Sequence, residues 1–338
     1  MPAEGASHDR TWMAFPSEGY SLGETADAHH EARSTWAAVA HAILEFEPVT
    51  VVVDPRERTA AARYLSREVT VVEAPLNDAW MRDIGPTFVH GDDGRVGAVD
   101  WVFNGWGAQD WARWDRDARI GALVAELSGA QRIPSDMVGE GGGIQVDGQG
   151  TVLVTETVQL DPGRNPGMTR VDVEAELART IGATHAVWLP YGLARDSEAY
   201  GTRGHVDIVA AIASPGVMLL HDQRDPAHPD HIRSKAFRKV FADSTDAAGR
   251  PWQVIDVPAP TTLTDSEGFV DYSYINHLVV NDGVIACSFG DENDAAAADI
   301  LRQAYPGRRV VTVDARPLFE RGGGIHCITQ HQPAPLRA

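Results

Sequence analysis

The 338-residue chain has a formal net charge of −19, with 29 Lys and Arg against 48 Asp and Glu. That balance argues against nucleic acid and acidic membranes as partners; it favours solubility and suits a small cationic ligand. Composition is that of an ordinary globular protein, 43% hydrophobic and 23% charged, and no apolar run approaches the ~20 residues of a membrane span.

The opening residues Met1-Pro2-Ala3-Glu4-Gly5 lack the basic and apolar regions of a signal peptide. The two cysteines, Cys287 and Cys327, build no disulfide framework. A cytoplasmic protein is expected. With no Pro/Ser linker and no low-complexity tract, residues 1–338 read as a single domain.

Residues 11–16 predict a short strand and 26–46 a helix, with Ala37, Val39, Ala40, Ile43 and Leu44 at helical spacing. Strands follow at 49–53 and 69–72. A polar stretch, 77–86, leads to a hairpin over 87–101 turning near Gly94. The next helix is expected at 114–127, then Glu140-Gly141-Gly142-Gly143 and a hairpin over 144–155 turning at Asp147-Gly148. A helix at 169–181 and a strand at 185–189 precede Gly204-His205-Val206-Asp207 and a hairpin turning at Ser214-Pro215-Gly216. A helix at 229–241, a strand at 252–257 and the polar run Tyr272 to Asn276 precede a hairpin turning at Asn281-Asp282-Gly283. The last helix is 294–304 and the last strand 310–313, before Gly322-Gly323-Gly324-Ile325-His326-Cys327.

The hairpin turns recur at intervals of roughly 55–70 residues, a repeat length typical of propellers and arrays. The expected fold is α/β: a five-module α/β propeller of pseudo-fivefold symmetry, its ring closed when the N-terminal strand 11–15 joins the last module.

Asp83, Glu140, His205, Asp207 and Cys327 stand just before or within the first strand of a module, so such a ring brings them to one axis. His205 and Asp207, two apart in a strand, would share one face. A thiolate is a strong nucleophile but scarce from a free pKa of about 8.5, and an imidazolium or bound cation nearby increases its population. The glycine run and the adjacent His326 mark Cys327 as reactive, whereas Cys287 in an apolar run reads as core. His205 can exchange protons near neutrality, and Glu140 would orient it.

Asp83 and Asp207 facing each other need a cation between them, and a guanidinium, planar with five N–H donors, fits. A zinc site from His205, Asp207 and Cys327 has no close-spaced Cys or His pair behind it; no metal is expected. The glycine runs precede strands, not helices, so they are not phosphate loops.

Seven stretches carry a resemblance: Asp78 to Pro86, Phe103-Asn104-Gly105-Trp106-Gly107, Glu140-Gly141-Gly142, Arg164-Asn165-Pro166, Trp188-Leu189-Pro190, Gly204-His205-Val206-Asp207, and Gly322 to Gln330 with Gln332-Pro333. The chain resembles the agmatine deiminase family, guanidino-group-modifying enzymes of the pentein fold, over essentially its whole length. The resemblance implies hydrolysis of agmatine to N-carbamoylputrescine and ammonia in polyamine biosynthesis, without metal or organic cofactor. It makes Cys327 the nucleophile, His205 the proton carrier, Glu140 its partner, and Asp83 and Asp207 the guanidinium-binding carboxylates. Trp80 and Trp106 could pack on the substrate or serve as core aromatics.

Three positions depart from the pattern. Gly201-Thr202-Arg203 stand where many relatives have Asp-Glu-Thr, Ile208 where many have Asn, and Gln145 where a His is frequent. An Arg203 facing the pocket would favour a carboxylate-bearing substrate. The competing readings are therefore a deiminase of peptidyl or free arginine, and a non-catalytic guanidino-binding propeller. Residues 110–117 and 194–203 are candidates to cover the site, and the sequence leaves room for a homo-oligomer.

Overall fold

The computed structural model describes residues 1–198 and 200–336. Its architecture is mixed α/β. Strand β1 (His8–Ala14) lies in one sheet with β2 (Val49–Val53) and β3 (Thr70–Glu73), all parallel. The helix Ala26–Leu44 joins β1 to β2, as a parallel crossover requires. Thr25 caps it by accepting from the Ala28 N–H, and Trp36, Val39, Ala40 and Ile43 face the core.

Three further segments repeat one plan, in which two antiparallel strands are followed by a helix and a strand parallel to the second. They are β4 (Thr87–His90), β5 (Val96–Val102) and β6 (Gln131–Val138); β7 (Gln145–Val146), β8 (Thr151–Thr155) and β9 (His185–Leu189); and β10 (Ala210–Ser214), β11 (Val217–Asp222) and β12 (Gln253–Pro258). A small hairpin, β13 (Thr264–Asp265) and β14 (Gly268–Phe269), precedes a fourth such set of β15 (Leu278–Val280), β16 (Gly283–Ser288) and β17 (Arg309–Asp314). Finally β18 (Thr329–Pro333) pairs antiparallel with β1, Met13 opposite Thr329. No ladder among the described residues joins one of these sheets to another.

The middle strands are buried on both faces and correspondingly apolar. Val49–Val53, Thr151–Thr155 and Gly283–Cys287 are continuous buried runs.

Several expectations need correction. The helix expected at 114–127 begins only at Ile120, after a 3₁₀ turn at Asp117–Arg119. The Asp117 carboxylate accepts from the Asn77 and Asp78 N–H groups, and Asn77 Oδ1 accepts from the Arg116 N–H. These side-chain bonds compete with the helix start. Strand β6 was not expected; it contains Pro134, which only an edge strand tolerates, and β6 is an edge. His205 and Asp207 are not on a strand face. They flank Val206 in the 3₁₀ turn Val206–Ile208, ahead of β10.

Candidate active site

The five residues singled out lie in tight turns that precede the first strand of a sheet. Asp83 is in the short helix Met81–Ile84 before β4, and Glu140 stands at the start of the 3₁₀ turn Gly141–Gly143 before β7. His205 and Asp207 precede β10, and Cys327 sits in turns before β18. Each is buried, Cys327 being 7% exposed.

The structure brings three of them, His205, Asp83 and Asp207, together around Gly142; Glu140 adjoins through His205 and Cys327 through Asp207, whose Oδ2 lies 3.5 Å from Sγ. A Cβ at that position would lie 2.5 Å from His205 Nδ1, 3.0 Å from Asp83 Oδ1 and 3.1 Å from Asp207 Oδ2. Only glycine lets the three functional groups meet. The Gly142 N–H also donates to Asp83 Oδ1 at 3.1 Å. Gly323 does the same for Cys327, since a Cβ there would stand 3.0 Å from its Sγ.

His205 Nε2 is 3.4 Å from Glu140 Oε2. Glu140 in turn accepts from Arg164 Nε at 2.9 Å and 3.1 Å, and both side chains are fully buried. Burial would push the Glu140 carboxyl up, but Arg164 and His205 hold it below its usual value. Burial likewise disfavours the His205 imidazolium. Asp83, Glu140 and Asp207 outweigh it and raise His205 to about 9. Burial pushes Asp83 up to about 6; Glu140 and Asp207 add to this, while His205 and the Trp106 indole oppose it. Asp207 is held low despite burial, because His326 Nδ1 lies 2.8 Å from its Oδ2. His326 Nε2 reaches Glu4 Oε1 at 2.7 Å. Asp207 Oδ1 and His205 Nδ1 are buried with no hydrogen-bond partner among the described residues.

Cys327 departs from the expected poise. Burial, Asp207 and Asp83 push its thiol well above the ordinary cysteine value. His326 points to Asp207 and Glu4, not to the sulfur. The group that does approach Sγ was not singled out in the sequence: Asn276 Nδ2 stands 3.2 Å away. Asn276 Oδ1 accepts from the His326 N–H at 3.0 Å, and Nδ2 also donates to the Asp207 carbonyl at 3.3 Å, so the amide is fixed with its N–H toward sulfur. Asn276 lies just before β15, in the same pre-strand place that the other sheets fill with site residues.

Above the sulfur a cleft of about 340 Å³ is lined by Trp80, Trp106, Trp111, Tyr200, Thr202 and Asp83, among others. Trp106 Nε1 donates to Asp83 Oδ2 at 2.9 Å and its ring stacks on Trp111, 5.4 Å between centroids. Trp80 packs edge-on against Trp36 and presents its other side to the cleft. Both tryptophans thus line the site and also belong to the core. Trp111 and Tyr200 come from the two stretches expected to cover it; within 194–203, Ala199 lies outside the described residues. Arg203 is not part of the lining.

The set can hold a planar cation between two carboxylates, present a thiol to it, and move a proton through an imidazole. Comparison with known proteins agrees with that chemistry. The family model for Porphyromonas-type peptidyl-arginine deiminase matches residues 1–333. A Streptomyces coelicolor protein, provisionally named agmatine deiminase, is 56% identical over 98% of both chains. The agmatine deiminase of Stutzerimonas stutzeri is 40% identical over 99% of this chain and 96% of its own. The solved structure of Enterococcus faecalis agmatine deiminase superposes with a TM-score of 0.92 at 34% identity, covering 99% of this chain and 96% of that one. On sequence and fold together, this chain belongs to the agmatine deiminase family.

Proposed function

We propose that the protein hydrolyses agmatine to N-carbamoylputrescine and ammonia, a step that supplies polyamine synthesis. The observation that carries this is the meeting of Asp83, Asp207 and His205 at Gly142, with Cys327 Sγ 3.5 Å from Asp207 Oδ2, beneath an aromatic cleft. The guanidinium lies between the carboxylates, with Asp207 Oδ1 available to accept one of its N–H groups. Its charge offsets the two carboxylates that hold the Cys327 thiol up. With the cation in place the Cys327 thiol releases its proton to solvent, and the thiolate, with Asn276 Nδ2 as donor, attacks the guanidinium carbon.

In the tetrahedral adduct His205, held as imidazolium by Glu140, gives its proton to one amino group, and ammonia leaves. An amidino-cysteine remains. His205, now neutral, takes a proton from water as the hydroxide adds to the same carbon. Collapse breaks the C–S bond, the added hydroxyl passing its proton to the departing sulfur, and leaves the Cys327 thiol and the ureido product. Neither a metal nor an organic cofactor enters the scheme.

We further infer that residues 1–338 act as one catalytic domain. Its five similar modules surround an axis, which explains why residues so distant in sequence converge. A cytoplasmic location accords with the two free cysteines, and small cationic guanidines are the expected partners.

The test is release of ammonia and ureido product from purified protein given agmatine, arginine and an arginine-terminated peptide side by side. Agmatine should be turned over and the other two should not. Cys327→Ser should abolish ureido product; an active Cys327→Ser protein would sink the mechanism.

A further inference from the structure

We propose that the chamber beside the cleft is a binding site for a primary ammonium at the far end of the substrate, with Asp271 as its counter-charge. The inference rests on the guanidine-hydrolysing role of Cys327.

The chamber shares Tyr20, Tyr200, Gly201 and Gly322 with the walls of the cleft above the sulfur. The two spaces therefore adjoin, and a linear ligand with its guanidinium at Cys327 would direct its far end toward the chamber. Tyr20 and Tyr200 stack at 5.2 Å along the shared wall and offer ring faces to an alkyl chain or a cation.

The charges in the chamber are unequal in what they have left to offer. Arg195 is engaged by Asp265 at 2.5 Å and Glu267 at 2.8 Å. Asp196 uses both oxygens within its own loop, accepting from Thr202 N at 2.8 Å, Thr202 Oγ1 at 2.6 Å and His205 N at 2.9 Å. Asp271 is different. It is 6% exposed, lines the chamber, and its Oδ1 is buried without a hydrogen-bond partner among the described residues. A carboxyl in that state costs free energy unless a donor meets it.

Burial and Asp196 push it up to about 7, against the pull of Arg195. An arriving cation would complete its ionisation. An ammonium brings three N–H donors and a positive charge. A ligand carboxylate in the same place would meet Asp271 head-on, so the chamber selects for an amine and against an amino acid. Residues 201–203 bring no carboxylate to this end of the site; Asp271, from another loop, does.

Calorimetry on the full chain carrying Cys327→Ser, which prevents turnover, compares agmatine with butylguanidine, its analogue lacking the ammonium. Agmatine should bind more tightly. Adding Asp271→Asn should weaken agmatine about thirtyfold or more, leave butylguanidine unchanged, and so erase the difference. Equal affinity of the two ligands without the Asp271 change overturns the proposal, and this arm needs no second variant to fold. Equal weakening of both ligands by Asp271→Asn also overturns it, since that marks a structural role only. If the wild-type protein releases no ammonia from any guanidine, the reaction assigned above fails, while the binding comparison still decides the chamber.

Discussion

His205 Nδ1 stands 3.9 Å from Asp83 Oδ1, while its other ring nitrogen faces Glu140 at 3.4 Å. The two residues bias each other's ionisation: Asp83 titrates near 6 and His205 near 9. Asp83 must be ionised to bind a guanidinium, so kcat/KM should rise with pH through about 6. His205 must carry its proton for ammonia to leave, so in the agmatine complex, where the thiol has already ionised, kcat should fall as pH rises through the His205 value of about 9. The same raised value has a stability consequence. His205 stabilises the fold most below its unfolded pKa of about 6.5, and that contribution is lost as pH rises through about 9. The melting difference between wild type and His205→Gln should shrink accordingly on the alkaline side.

Gly142→Ala tests the convergence directly. The added methyl has His205, Asp83 and Asp207 within 3.1 Å and cannot be accommodated without moving one of them. Displacing a catalytic group by an ångström costs about a hundredfold. kcat should fall by that order while the fold survives, as read by circular dichroism. Unchanged kcat would remove Gly142 from the site.

Trp106→Phe removes the N–H that Asp83 Oδ2 accepts but keeps the aromatic face. Losing one donor to a buried carboxylate costs about 1–3 kcal/mol, so kcat/KM should drop by roughly ten- to a hundredfold. With that support gone Asp83 becomes harder to ionise, and the acid limb of the profile should move upward. A drop in rate with an unmoved limb would assign Trp106 to packing alone.

Arg164→Met should be mainly a stability lesion. Arg164 and Glu140 are both inaccessible to solvent, and breaking a buried pair costs about 3–5 kcal/mol because one charge is left uncompensated. Urea unfolding should report that loss. Adding Glu140→Gln should restore part of it and none of the activity.

The convergence of the candidate residues was legible because Asp83, Glu140, His205 and Asp207 sit in polar or glycine-rich runs ahead of hairpins, and such runs stand out against apolar strands. What the pattern did not reveal was geometry at short range. His205 and Asp207 converge through a 3₁₀ turn; Asp196 holds the backbone of His205 from outside the motif. Asn276 has no charge to draw attention, and its one signal was its place ahead of β15. Arg164 belonged to a recognisable stretch, yet its role depends on an ion pair with Glu140, and linear sequence does not show such partners. The raised thiol of Cys327 is not visible in the sequence, because two carboxylates and burial act on it from elements remote along the chain. Strand β6 was hidden by Pro134, which is compatible with an edge and with little else.

The partnership of β1 with β18 has a consequence for how the protein comes into being. Trp12 Nε1 donates to Gln332 Oε1 across 320 residues, and the strand bearing Met13 has no partner on that side until 329–333 arrive. During synthesis β1 emerges ahead of β18 by the 320 residues that separate Trp12 from Gln332, and one edge of it stays open over that span. Such an edge invites pairing with foreign chains, and contacts this distant form slowly. Cys327 lies two residues before the strand that covers this edge, so the candidate site and the cap on β1 are completed by the same short stretch of chain.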